Sequence, residues 1–196
     1  MKQIVLVHGG NSYKDHATYR ADLEALEMDY QRLLPKKRWS DAIIAAFPDA
    51  DILLPTMPNS ANAQFDEWVI WFEKMIPFFK DDVRLIGHSL GAMFLAKYLH
   101  ERPLAHPVRQ LHLIAGGYDN PDHDYGSFMI ESATGLEQSA AEIHLYHSQD
   151  DPIVPFTELT KFQADLPTAK SHIFTDRNHF FQPTFPELQA LLAKEK

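Results

Sequence analysis

VRLIGHSLGAMFLAKYL, residues 83–99, is the stretch from which the rest of this chain is read. Its apolar run Val83-Arg84-Leu85-Ile86 suits a buried strand, and Ala92, Phe94, Leu95, Ala96 and Leu99 suit a buried helix. Between the two lies Gly87-His88-Ser89-Leu90-Gly91. A G-x-S-x-G segment that turns a strand into a helix is a nucleophile elbow, whose strained turn pushes the serine hydroxyl out above the end of the sheet. Gly87 and Gly91 then stand where a β-carbon would collide with the neighbouring strand or the incoming helix. Ser89 is the candidate nucleophile. The competing reading is a serine that only caps the following helix, and what decides between them is whether an acid and a histidine follow in order.

The whole chain sets bounds on that reading. At 196 residues, with 45% apolar and 23% charged residues, it has the composition of one globular domain over residues 1–196. A chain of that length buries about 70% of its unfolded surface around one core. The net charge of −9 argues against non-specific binding to nucleic acid or to an anionic membrane. There is no cysteine, which excludes disulfides and thiolate metal sites and fits a reducing cytoplasm. Strand-like residues begin almost at the first position, leaving no room for a signal core, and no apolar run is long enough to span a bilayer. The expectation is a cytoplasmic protein acting on a small molecule, with its oligomeric state left open.

Taken in order, residues 3–7 are a β-rich run that ends in His8-Gly9-Gly10-Asn11. Glycines at the end of a buried strand bring bare N–H groups close to a reacting oxygen, so Gly10 and Leu90 are the candidate oxyanion donors, with Asn11 the nearest substitute. Residues 15–34 read as an amphipathic helix through Tyr19, Leu23, Leu26, Tyr30 and Leu33 or Leu34. Its stripe is expected in the core, with a border on the active-site mouth as the alternative because it follows the oxyanion loop, and Lys36, Lys37 and Arg38 behind it suit the helix dipole. A shorter helix at 40–47 opens on a Ser40 cap, residues 51–54 form a strand, and residues 61–79 form an apolar helix that Pro77 ends or kinks. Residues 110–115 are another strand. The polar loop 116–124 behind it lacks the glycine and terminal glutamate of a calcium-binding loop, so no metal is assigned, and the segment on to Gly135 reads as a flexible cap.

Residues 143–147 form the next strand, running into Ser148-Gln149-Asp150-Asp151-Pro152. An acid at a strand end before a proline-stiffened turn is how a triad acid is presented. Asp150 and Asp151 compete, and Asp151, with its Pro-Ile-Val-Pro continuation, is chosen. Adjacent side chains on extended backbone point to opposite sides, so only one of the two reaches a given imidazole. A helix at 156–166, a strand at 171–174 and a closing helix at 186–194 complete the pattern. Of eleven histidines, His179, in the loop after the last strand, completes the order Ser89, Asp151, His179. His88 and His8 read as packing residues beside the two turns.

With these residues assembled, the chain resembles the α/β-hydrolase superfamily, and within it the small serine hydrolases of the retinoblastoma-binding-protein 9 and YdeN type. The likeness rests on His8-Gly9, Met57-Pro58 before the Trp68 helix, Gly87-His88-Ser89-Leu90-Gly91, Asp150-Asp151-Pro152 and His179-Phe180. Members often have glycine before the histidine, where this chain has Asn178, a residue that also tolerates left-handed backbone. The resemblance implies Ser89 as nucleophile, Asp151 as orienting acid and His179 as base, with no cofactor. The expected architecture is a three-layer α/β sandwich, its mostly parallel sheet of about six strands joined by right-handed crossovers. The expected chemistry is esterase-like hydrolysis of a small ester, thioester or amide through an acyl-enzyme. Two alternatives stay open: a binding protein on the same fold, and an acyltransferase or C–C bond hydrolase on the same scaffold.

Overall fold

The computed structural model describes residues 2–194. Its centre is a six-stranded sheet of β1 (Gln3–Val7), β2 (Asp51–Leu53), β3 (Arg84–His88), β4 (Gln110–Ile114), β5 (Ile143–Ser148) and β6 (Lys170–Phe174). The strands lie in the order β2-β1-β3-β4-β5-β6, and every neighbouring pair is parallel. The inner strands β1, β3, β4 and β5 are buried on both faces, as in sheets covered by helices on either side, whereas the edge strands β2 and β6 are partly exposed. Val5, Val7, Leu85, Leu113 and Leu145 face a core built from α4 (Phe65–Glu73), α5 (Leu90–Glu101) and α6 (Thr157–Asp165). Ile4, Leu6, Ile86, Ile114 and Tyr146 face α3 (Trp39–Ala46) and α7 (Pro186–Ala193). The result is the three-layer sandwich expected, each large buried side chain contributing about 1.5–3 kcal/mol.

Strand order also places a crevice. From β1 the chain moves outward to β2, then returns past β1 to β3. The loops leaving β1 and β3 therefore run to opposite sides, and open parallel sheets bind ligands at such a switch point. Those loops are the two that carry Gly9-Gly10 and Ser89.

Four stretches depart from expectation. Residues 15–34 form not one helix but two, α1 (His16–Ala25) and α2 (Tyr30–Leu33). Asp29 breaks the run by capping α2, its carboxylate accepting the Gln31 N–H at 3.0 Å, because a short acid offers the backbone an alternative to the helical bond. The stripe is not core: Leu23 is 48%, Leu33 64% and Tyr30 70% exposed, and α1 buries no residue. Neither helix end reaches the basic triplet, and Arg38 instead opens α3, its N–H capped by Asp41 at 2.9 Å in place of the expected Ser40. Finally, α4 starts at Phe65 rather than 61, since residues 59–63 are held by the loop after β1: Asn11 N–H donates to Ser60 O and Ala63 N–H to Asn11 O, each at 2.8 Å. The segment expected as a flexible cap packs down through Phe128, Ile130 and Ala133, all buried against the α5 side of the sheet.

Candidate active site

The turn at Ser89 has the elbow's geometry. Its φ of 56° and ψ of −123° are conformations an L residue adopts only under strain. Close approach of backbone explains the flanking glycines. A β-carbon on Gly87 would lie 2.5 Å from Gly91 O and 2.7 Å from Ala92 Cα, in the incoming helix, and one on Gly91 would lie 2.2 Å from Val7 O, in β1. Ser89 does sit at the N-cap of α5, but its side chain makes no capping bond, so the capping alternative does not account for it.

The loop after β1 lies against the elbow, where a β-carbon on Gly9 would stand 3.0 Å from Ser89 Cβ. Gly10 and Leu90 line one cleft with Ser89, about 330 Å³ in volume, together with Met93, Tyr125 and Val154. Neither the Gly10 nor the Leu90 N–H has a backbone acceptor among the described residues. The Asn11 N–H, the sequence's substitute donor, is spent on Ser60.

Asp151 and Asp150 lie in the turn after β5, closed by the Asp151 N–H to Ser148 O at 3.2 Å, and they take different partners. Asp151 Oδ2 accepts the Nδ1–H of His179 at 2.8 Å, and Oδ1 accepts the N–H groups of Ile153 at 2.8 Å and Val154 at 3.0 Å. Its side chain is fully buried. Burial pushes this carboxyl up, but the His179 hydrogen bond and the two N–H groups outweigh it and hold the group below the usual carboxylate range. An imidazole donating from Nδ1 keeps its lone pair on Nε2 when neutral. Asp150 turns the other way: its Oδ1 accepts the Ser148 hydroxyl and the Asn178 N–H, the latter at 3.0 Å. Ser148 Oγ in turn accepts the Arg177 N–H at 3.0 Å. These bonds hold the loop that carries His179, with left-handed backbone on either side at Asn178 (φ 47°) and Phe180 (φ 56°). Asparagine accommodates that conformation readily. Phe180 is held in it by burying its ring against Phe174 and Phe185, with centroids 5.6 and 5.1 Å away.

Three more histidines prove to serve this region. His88 points to the sheet face opposite α5, packs edge-on to Trp39, and donates from Nε2 to the His179 carbonyl at 2.9 Å. Burial, then the charge of His179, lowers it to about 4, so it is a neutral prop. His147 donates from Nε2 to Val154 O at 3.0 Å, within the turn that presents Asp151, and burial lowers it too. His8 bonds both the Gly9 carbonyl and the Met57 N–H. Strand alternation gives away which face His88 takes, but its partner His179 and the Met57 N–H that reaches His8 lie 91 and 49 positions away, where nothing local in the sequence points to them. The polar loop at 116–124 is structural: buried Glu158 accepts the N–H groups of Tyr118, Asp119 and Asn120, and no group of metal-ligating side chains forms among the described residues.

Comparison with known proteins gives the family and the fold. A family model described as serine hydrolase matches residues 35–181. The rat serine hydrolase RBBP9 is 28% identical over 160 residues, 76% of this chain and 80% of that protein. Among solved structures, the ydeN gene product of B. subtilis is similar with a TM-score of 0.72 at 18% identity, over 98% of this chain and 97% of that one. Est1E from Butyrivibrio proteoclasticus, solved with ferulic acid bound, has a TM-score of 0.58 at 12% identity, over 98% and 86%. Structural likeness at such identities speaks for the fold, a minimal α/β-hydrolase.

Proposed function

Because the chain belongs to the serine hydrolase family, we propose that Ser89, His179 and Asp151 are its catalytic triad and that it cleaves a small ester, thioester or amide. The observation that carries this reading is the hydrogen bond from His179 Nδ1 to the buried Asp151 carboxylate, in the loops beside a positive-φ serine. His179 Nε2 takes the proton of the Ser89 hydroxyl as Oγ attacks the substrate carbonyl. Asp151 keeps the imidazole in the right tautomer and stabilises the cation that forms. The N–H groups of Gly10 and Leu90 stabilise the tetrahedral oxyanion, at about 3 kcal/mol per donor. His179 returns the proton to the leaving group, the carbon–heteroatom bond breaks, and water, deprotonated by the same ring, releases the acyl group from Ser89. Water is the only co-reactant required. A cleft of about 330 Å³ suits a small acyl group or leaving group rather than a polymer chain.

Labelling by a fluorophosphonate probe tests the assignment. Wild type labels at Ser89; Ser89→Ala abolishes labelling, His179→Ala and Asp151→Asn reduce it strongly, and Asp150→Asn leaves most of it. A folded wild type that neither labels nor hydrolyses short-chain esters would overturn the proposal and favour a binding role on this fold.

A further inference from the structure

The loop that presents Gly10 is held by a two-ended clamp. His8 Nδ1 lies 2.6 Å from Gly9 O, and His8 Nε2 lies 2.9 Å from the Met57 N. A carbonyl oxygen only accepts and a backbone N–H only donates, so Nδ1 carries the ring proton and Nε2 carries the lone pair. Both ends specify the same tautomer. The ring is itself fixed, packed edge-on at 5.9 Å against Trp68, whose indole N–H donates to Pro58 O at 2.8 Å.

The bond to Gly9 O reaches further than its own length. The carbonyl of Gly9 and the N–H of Gly10 belong to one planar peptide unit, in which they point in opposite directions. Between two glycines that plane has unusual freedom to rotate. Fixing the oxygen edge on His8 Nδ1–H therefore fixes the N–H edge on the opposite side, where Gly10 lines the cleft with Ser89 and Leu90. We infer that His8 is a positioning residue for the oxyanion hole: it sets the Gly9-Gly10 peptide plane so that the Gly10 N–H is already aimed where charge develops. The inference rests on Gly10 being an oxyanion donor, as proposed above. Pre-set donors are worth more than mobile ones because nothing has to reorganise during the reaction.

Two substitutions separate this role from packing. In His8→Asn the side-chain amide N–H stands near the position of Nδ1 and still donates to Gly9 O, while the Met57 contact is lost. In His8→Gln the longer side chain reaches the Met57 N–H with its carbonyl oxygen and leaves Gly9 O unheld. Using hydrolysis of p-nitrophenyl acetate, His8→Gln is expected to lower kcat about 100-fold with KM within about twofold, the signature of a lost transition-state donor. His8→Asn is expected to retain kcat within about tenfold of wild type. A structural role predicts the reverse ranking, since glutamine fills the site better and keeps the bond between loops. Equal losses, or an active glutamine variant, would overturn the inference.

A second readout stands apart from activity. In a long-range proton–nitrogen NMR spectrum of the labelled protein, the His8 ring proton is expected on Nδ1. A proton on Nε2 overturns the clamp whether or not the enzyme turns over. If the tautomer is as expected and wild type is inert towards both ester and probe, the catalytic reading fails, and with it the oxyanion role assigned to the clamp.

Discussion

His144 sits on β5 in the middle of a ladder of rings crossing three strands. It stacks on His112 of β4 at 4.8 Å and 11° between planes, and on His172 of β6 at 5.3 Å, its Nδ1 3.0 Å from His172 Nε2. Its side chain is fully buried. Burial first, then the charges of His172 and Lys170, lowers it from 6.5 to about 4. The unfolded chain thus takes up a proton below about pH 6.5 that the folded protein refuses until about pH 4, so this contribution is complete above that window and is lost as pH falls through it. The slope approaches 1.4 kcal/mol per pH unit for one such histidine, and between about pH 7 and pH 5 the loss comes to about 2 kcal/mol. His112, fully buried and lowered by burial first and then by the charges of His144, His172 and Arg84, adds a second contribution of the same sign. The carboxylates held low, such as Asp151 and Glu142, lose their stabilisation only as pH falls from the ordinary carboxylate values of 3.8 and 4.5 downward, outside the interval between pH 7 and pH 5. The perturbation is His144→Gln and the assay is urea unfolding at several pH values, read as the change in stability with pH rather than its level. Wild type is expected to lose about 2 kcal/mol more than the variant between pH 7 and 5. Parallel losses would show that His144 titrates alike in both states, and the reasoning from burial would be wrong.

Other outcomes follow from the same coordinates. Asp151→Asn keeps the shape but leaves a side chain able to misorient the imidazole, and kcat towards a short ester is expected to fall about 10⁴-fold. Asp150→Asn retains an oxygen to accept the Asn178 N–H, and its kcat is expected to stay within about tenfold of wild type, so equal losses at the two positions would refute the assignment. Gly91→Ala places a carbon 2.2 Å from Val7 O, forcing α5 away from β1; thermal or urea unfolding should show about 3 kcal/mol of destabilisation. Glu158→Gln removes the buried charge that three backbone N–H groups and Lys161 share, at an expected cost of about 2–3 kcal/mol in urea unfolding.

The alternation of apolar runs with helical patterns was legible in the chain from Gln3 onward, because a strand buried on both faces needs nearly every residue apolar. The elbow was legible for a steric reason: only glycine fits where Gly87 meets α5 and Gly91 meets β1. Asp151 was preferred to Asp150 for the proline-stiffened turn that follows it, Pro152-Ile153-Val154-Pro155, the kind of turn that presents an acid at a strand end. The segment from Asp15 to Leu34 misled, since its apolar spacing satisfies a helical period whether or not the fold supplies a surface to cover it, and here it leaves Leu23, Tyr30 and Leu33 exposed. Histidine is where sequence says least. What a ring does depends on what reaches its two nitrogens, and although His8 also bonds the adjacent Gly9 carbonyl, Met57 for His8, His179 for His88, His172 for His144 and Asp151 for His179 lie 28 to 91 positions away along the chain. Strand and turn are decided by neighbours in sequence; a histidine's role is decided by neighbours in space, which only the closed sheet and its loops bring within hydrogen-bond reach.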